Sequence, residues 1–369
     1  MPHYRFRQFT LIALVILTAQ LFATGQTPTP KSKPTPDDEI IKVESRLVVV
    51  PVSVTDANGQ QVLGLNAPDF RIAEENKRQT IDKVNTADVV PLEIALLFDI
   101  SASTDAMFKF EQETAARFLK DVMRPNDRAT IFTVGERGRL VQPRDTAERS
   151  MESIHSITPT TEQTAFYDAV RMAANHLAKN APPGVRKVIV IISDGEDTSS
   201  EGIIRAIWNA ERKITDDVQG EKLRDLRVKA RDSAKLAEQT KVIKSLQDAD
   251  TVFYSVNPAG DSYQLNKMSV FGQLNMQRFA DETGGTAFLP KILPIDTKDP
   301  YQNQNNARKN QELLERIFRQ LTNELRSQYL IQYYSDSEFP LNRYVKLDVG
   351  LLNRSGLRVR ARQGYYVKN

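Results

Sequence analysis

The chain has 369 residues, 40% of them hydrophobic and 26% charged, with 50 basic against 47 acidic side chains and a formal net charge of +3. That length accommodates more than one domain, and that composition excludes a wholly disordered chain. The near-neutral balance leaves no electrostatic footprint for nucleic acid, and the absence of cysteine excludes disulfides and a lipid-bearing thiol.

In chain order, His3, Arg5 and Arg7 precede an apolar run over Phe9–Ala23, and small residues follow at Ala23-Thr24-Gly25. This pattern predicts a secretory signal peptide over 1–25, because about fifteen apolar residues fall short of the roughly 20 that span a bilayer. An uncleaved N-terminal anchor is the alternative. Cleavage leaves no membrane-spanning segment and removes two of the basic residues, so the remainder is nearly neutral. Residues 26–39 contain TPTPKSKPTP, a proline-rich linker that favours an extended backbone.

Residues 40–87 read as an N-terminal β unit. Leu47–Thr55 is strand-like, Asp56-Ala-Asn58-Gly59 supplies a turn, and Gln61–Leu65 is expected to return as a hairpin partner. Two short strands are expected around Glu75-Asn76, and Pro51 points to an edge or a bulge within the first strand.

The texture changes over 88–290. Buried-type strands at Glu93–Ile100, Ala129–Val134, Lys187–Ser193 and Thr251–Val256, with a weaker one at Thr286–Leu289, alternate with amphipathic helices. The helices fall at Met107–Val122, Thr164–Lys179, Ala237–Leu246 and Gln277–Glu282. Alternation of this kind predicts an α/β fold with a doubly wound, mostly parallel sheet. Leu140–Val141, beyond Gly135 and Gly138, is expected as one antiparallel edge strand. A charged helical insertion spans about 201–236, with Trp208 expected to be buried against the insertion's own face and an exposed contact residue as the alternative. A loop over 291–308, an amphipathic helix over 309–326 and a C-terminal β segment over 327–369 complete the chain. The two β segments, one at each end, are expected to pair into a small β domain.

The chemistry concentrates where strands stop. LLFDISAS ends an apolar run in Asp99, Ser101 and Ser103, IISDGEDT ends another in Asp194, and Thr164 opens the helix of TAFYDAV. Each feature alone reads as a turn or a helix cap. In a doubly wound sheet all three reach the same rim, where ligands bind, and so gather three hydroxyls and two carboxylates. An all-oxygen set of this kind suits a hard cation such as Mg²⁺ or Mn²⁺ and does not suit zinc. Ca²⁺ ranks behind these because three small hydroxyl ligands make a tight site.

This constellation resembles the von Willebrand factor A-type domain and the integrin I domain, whose metal-ion-dependent adhesion site follows D-x-S-x-S, then Thr, then Asp. The resemblance covers about 90–290 and implies that Ser101, Ser103 and Thr164 coordinate the metal directly, while Asp99 and Asp194 act mainly through water or through hydrogen bonds. It further implies an exported, non-enzymatic binding module whose cation is completed by an Asp or Glu carboxylate of a partner protein. The stretches VSVTDANGQQVLGL and ELRSQYLIQYY resemble the flanks of secreted bacterial proteins that carry this domain. Two other readings stand beside it: a structural domain with a non-functional metal site, and a metal-dependent hydrolase. The aspartyl-phosphatase version of the latter lacks its second Asp, since Ser101 stands there. His155 and His176 lie on predicted helices without neighbours at ligand spacing.

Overall fold

The computed structural model describes residues 46–101, 105–213, 219–258, 267–295 and 297–368, and the chain from Glu44 onward forms one compact unit. The expected signal peptide and proline-rich linker lie outside the described residues. Among the described residues no helix is long and apolar enough to cross a membrane.

The first strand, β1 (Arg46–Thr55), is followed by β2 (Phe70–Glu74), β3 (Lys77–Arg78) and β4 (Ile81–Thr86). The expected hairpin return at Gln61–Leu65 is reduced to a single bridge between Thr55 and Gln61. The turn itself forms: Asp56 Oδ1 accepts the amides of Asn58 and Gln60 at 2.8 Å each, and Gly59 takes φ +78°. The flanks of β1 are instead occupied by strands from the far end of the chain.

The α/β part begins with β5 (Leu92–Asp99), every residue of which is buried. It continues through α1 (Asp105–Val122), β6 (Arg128–Val134), β7 (Arg139–Asp145), α2 (Ala147–His155), α3 (Phe166–Asn180) and β8 (Arg186–Ile192). Then come α4 (Glu201–Glu211), α5 (Glu221–Asp248), β9 (Thr251–Val256), α6 (Lys267–Thr283) and β10 (Ala287–Phe288). The six strands lie in the order β10-β9-β8-β5-β6-β7, parallel except for β7, which pairs antiparallel at the edge as expected. Apolar side chains alternate between the two faces of β5. Leu96 and Phe98 meet α1 and α2 on one face, while Ala95 and Leu97 meet α3, α5 and α6 on the other. Uninterrupted apolar runs are what such doubly covered strands require.

Two segments depart from expectation. The insertion and the following helix are not separate elements, because α5 runs unbroken for 28 residues and only its second half buries an apolar face. The loop expected over 291–308 ends early, since α7 (Pro300–Ser327) starts at 300. Asp299 caps its amides, with Oδ1 accepting from Tyr301 at 2.9 Å, and Pro300 occupies the first position, where its missing N–H removes nothing. The low apolar content of 300–312 hides this helix from a periodicity reading.

Only Gln328 separates α7 from β11 (Tyr329–Ser335), which is followed by β12 (Tyr344–Leu351), β13 (Arg358–Ala361) and β14 (Gly364–Tyr366). The two terminal segments do pair, into sheets ordered β13-β1-β11-β4 and β14-β12-β2-β3 around a shared core of Val50, Phe70, Ile331, Tyr333 and Val345. Pro51 lies in an interior strand, yet β13 pairs only with Val52–Thr55, so the proline sits where β1 has a neighbour on one side alone. A buried polar seam joins this β domain to the α/β part. Glu324 accepts from Thr286 Oγ1 at 2.9 Å and Arg360 Nη1 at 3.3 Å, and Gln328 Nε2 donates to the Tyr254 hydroxyl at 2.9 Å. Arg186 Nη1 donates to the Leu325 carbonyl at 2.9 Å. The C-terminal end of α7 is therefore fastened from both sides.

Candidate metal centre

Strands β5 and β8 are parallel neighbours, with Phe98 opposite Ile192. The chain leaves β5 toward β6 on one side and returns to β8 on the other. The crevice beyond their carboxyl ends is thus the topological switch point, where open α/β sheets bind ligands.

Asp99 forms the floor of this crevice and is buried. Its Oδ1 accepts from the Ser101 amide at 3.0 Å and the Ser101 hydroxyl at 2.8 Å, and its Oδ2 accepts from the Ser193 hydroxyl at 2.6 Å. Ser193 Oγ in turn accepts the Gly195 amide at 3.0 Å. Both carboxylate oxygens are therefore held, and the carboxylate plane is fixed. Ser193 was not singled out from the sequence. Its only signal there is its place between an apolar strand and Asp194.

The loop ahead of α3 closes the second side. The Thr160 amide donates to the Ile100 carbonyl at 2.7 Å, and the Thr164 carbonyl accepts the amides of Thr198 and Ser199 at 2.8 and 3.1 Å. The Thr164 amide donates to Thr198 Oγ1 at 2.9 Å. These bonds stitch the loop to the ends of both strands. Thr164 is buried, yet its own hydroxyl makes no hydrogen bond among the described residues. Asp194 Oδ1 accepts the Glu196 amide at 2.9 Å. Gly195, at φ +77°, runs so close to α6 that a Cβ on either Gly195 or Gly272 would lie within 2.7 Å of the other's backbone. Ser103 lies outside the described residues, so of the five predicted positions the structure places Asp99, Ser101, Thr164 and Asp194 at this rim.

The electrostatics follow from burial. Desolvation pushes the Asp99 carboxyl up to about 6 against the pull of its hydroxyl and amide donors, and the neighbouring Asp194 charge adds to the rise. Burial raises Asp194 as well. A third acid, Glu111 on α1, is pushed up to about 8 by burial and then by Asp99 and Asp194. Sequence reading missed it. Accumulated negative charge, oxygen donors and an unbonded hydroxyl fit a hard divalent cation. Among the described residues no three His, Cys, Asp or Glu side chains group closely enough to hold a metal by themselves, so hydroxyls would have to supply part of any shell. Of the histidines on helices, His155 is exposed at the end of α2, and His176 packs edge-on against Phe132 at 5.4 Å.

The loop 194–200 leads directly into α4. Asp197, buried behind the rim, accepts the amides of Tyr167 and Ser200 at 3.0 and 3.1 Å, tying α3 to the start of α4. On α4, Ile203 faces the core while Trp208 is 60% exposed, with the Arg212 guanidinium 5.3 Å from its ring centre. The expected burial of Trp208 is thus overturned: α5 covers a different face of α4.

Residues 94–196 match the sequence model of the von Willebrand factor type A domain, and the sheet containing them has that domain's fold. Three solved structures show loose overlap. An aerotolerance-related membrane protein from Bacteroides fragilis NCTC 9343 is 14% identical, over 60% of this chain and 99% of that one, with a TM-score of 0.33. The PilB minor pilin from Streptococcus sanguinis is 12% identical, over 64% and 62%, with a TM-score of 0.41. A von Willebrand factor type A protein from Catenulispora acidiphila is 10% identical, over 80% and 72%, with a TM-score of 0.39. No curated protein matches the chain in sequence.

Proposed function

We propose that this protein is an exported, metal-dependent protein-binding module that holds Mg²⁺ or Mn²⁺ at the β5–β8 crevice and docks an Asp or Glu side chain of a partner there. The observation that carries the reading is the buried Asp99 carboxylate at the β5–β8 crevice, whose two oxygens are held by Ser101 and Ser193 while the Thr164 loop closes the crevice's other side. The bound ion would supply a Lewis acid whose charge neutral ligands leave largely uncancelled. Asp99 would orient Ser101 by accepting its hydroxyl proton, which leaves a serine lone pair for the ion. Ser193 would hold Asp99 in that rotamer. Thr164 and Ser103 would contribute further hydroxyls, and Asp194 would act through water. Export rests on the leader pattern of residues 1–25.

Calorimetric titration of Mn²⁺ and Mg²⁺ into the chain, beside Asp99→Ala and Thr164→Val, tests this. Saturable binding that Asp99→Ala abolishes and Thr164→Val weakens, with the fold retained, is the expected result. Absence of binding by folded wild type refutes the metal-dependent reading and favours a purely structural domain.

A further inference from the structure

We infer that this protein has a second ligand site, separate from the metal crevice: the cavity between the β domain and the amino ends of β8 and β9 takes a small organic carboxylate with an apolar body, such as a medium-chain fatty acid. The two sites are independent. Arg186 and Thr251, the first residues of β8 and β9, line this cavity, whereas Asp99 ends the parallel strand β5 at the opposite rim of the sheet.

The cavity has a volume of about 550 Å³. Small-molecule sites run to roughly 300–1,000 Å³ and favour domain boundaries. Strand alternation builds the first wall. In β1 the side chains of Val48, Val50 and Val52 enter the β core, so Val49 and Pro51 point from the opposite face. In β11 Ile331 and Tyr333 enter that core, so Leu330 and Gln332 point outward with them. Val49 pairs with Gln332 and Pro51 with Leu330, and these four residues form one patch on the cavity. The loop 181–185 and the starts of β8 and β9 supply the other wall, with Lys187 beside Thr251 and Val188 beside Val252.

Hydrogen bonds hold the walls at a fixed spacing. Arg362 donates through Nη2 to the Val49 carbonyl at 2.8 Å and through Nη1 to Asp250 at 2.5 Å. Arg186 reaches the Leu325 carbonyl and Gln328 the Tyr254 hydroxyl, at 2.9 Å each. The cavity is thus preformed, and a ligand entering it need not first order its walls.

Charge and unmet hydrogen bonds select the ligand. Arg186, Lys187 and Arg362 line the cavity against a single acid, Asp250, which Arg362 already engages. Among the described residues neither the Lys187 ammonium nor the Gln332 amide makes a hydrogen bond or an ion pair. The buried Nε–H groups of Arg186 and Arg362 have no acceptor either, which leaves the positive potential of the lining uncancelled. An anion supplies the acceptors that such a lining lacks. Lys187 and Gln332 stand on different walls, so one carboxylate can accept from both. The body of the ligand then lies against Val49, Pro51, Leu330, Val188 and Val252, where apolar contact favours a hydrocarbon over a sugar.

Calorimetric titration of octanoate and of 1-octanol, in EDTA, tests this on wild type, Lys187→Met, Val49→Phe and the rim variant Asp99→Ala, each checked for fold by circular dichroism. Loss of a hydrogen bond to a charged group costs about tenfold or more in affinity. Wild type is expected to bind one octanoate per chain. Replacing octanoate by 1-octanol, or Lys187 by Met, is expected to weaken binding at least about tenfold. Val49→Phe fills the cavity and is expected to lose octanoate, while Asp99→Ala is expected to match wild type. Folded wild type that takes up no octanoate saturably overturns the site. Equal binding of 1-octanol, or Lys187→Met matching wild type, overturns the carboxylate assignment. Octanoate retained by folded Val49→Phe, or lost in folded Asp99→Ala, places the ligand elsewhere and overturns the cavity. If Val49→Phe does not fold, Lys187→Met and Asp99→Ala decide between these outcomes.

Discussion

Raising the pH of the ion-free protein from 5 to 8.5 is expected to destabilise it, because among the described residues no basic group offsets the buried carboxyls of Asp99 and Glu111. Glu111 ordinarily titrates near 4.5 and is pushed up to about 8 in the fold, chiefly by burial. A carboxyl whose folded pKa exceeds its unfolded value binds its proton more tightly when folded. The stability it lends is complete below pH 4.5, declines through the interval and is lost above pH 8. A shift of that size corresponds to a ceiling of about 5 kcal/mol. Asp99, raised from 3.8 to about 6, shares the same mutual repulsion, so the two contributions overlap instead of adding. Relaxation and water entry at the rim bring the expected loss to about 2–3 kcal/mol, a fall in melting temperature on the order of 5–10 °C. Melting curves followed by circular dichroism in EDTA, at half-unit pH steps, measure it. Glu111→Gln should flatten most of the slope. A wild-type melting temperature that is level or rising between pH 5 and 8.5, or a variant that tracks wild type, would show that the site does not store this repulsion.

Two further substitutions probe how the rim is held. Gly272→Ala places a Cβ 2.6 Å from the Gly195 carbonyl carbon and 2.9 Å from the Asp194 carbonyl oxygen, so the loop must lift away from α6. Urea denaturation should register a loss of about 1–3 kcal/mol, and Mn²⁺ titration a weaker site; unchanged affinity would mean that the loop's seat on α6 is irrelevant to it. Arg360→Ala removes the cation beside buried Glu324 while leaving the Thr286 hydroxyl bond, and Arg360 is itself 40% exposed. Urea denaturation should therefore show about 2 kcal/mol lost, and a change below 0.5 kcal/mol would show that Thr286 and Ser53, whose hydroxyl donates to Glu324 at 3.4 Å, suffice to satisfy the carboxylate.

The site was legible in part because its residues are marked by local contrast. A strand covered on both faces is an unbroken apolar run, so the acids that end such runs, Asp99 and Asp194, stand out without any knowledge of the fold. Glu111 has no such contrast. It lies in FEQET among other polar residues, and its one signal is that it shares the helical stripe of Phe108 and Ala115. Trp208 shows the same limit from the other side. Its apolar character suggested burial, but on α4 the fold buries Ile203 and leaves Trp208 exposed.

The sequence by itself determined the alternation of strands and helices, the doubly wound sheet, and the two acids and three hydroxyl-bearing residues at strand and helix ends. These are properties of period and local order, which a chain carries whatever its surroundings. Only the tertiary structure decided that β1 pairs with β11 and β13 instead of with its own hairpin, and that Pro51 is tolerated where one flank is open. It also decided that Ser193 locks Asp99, and that Glu111 lies buried beside two acids. Each of these depends on which distant segment arrives at a given flank and on how a helix is turned about its axis. Both are set by packing, where apolar faces far apart in the chain meet.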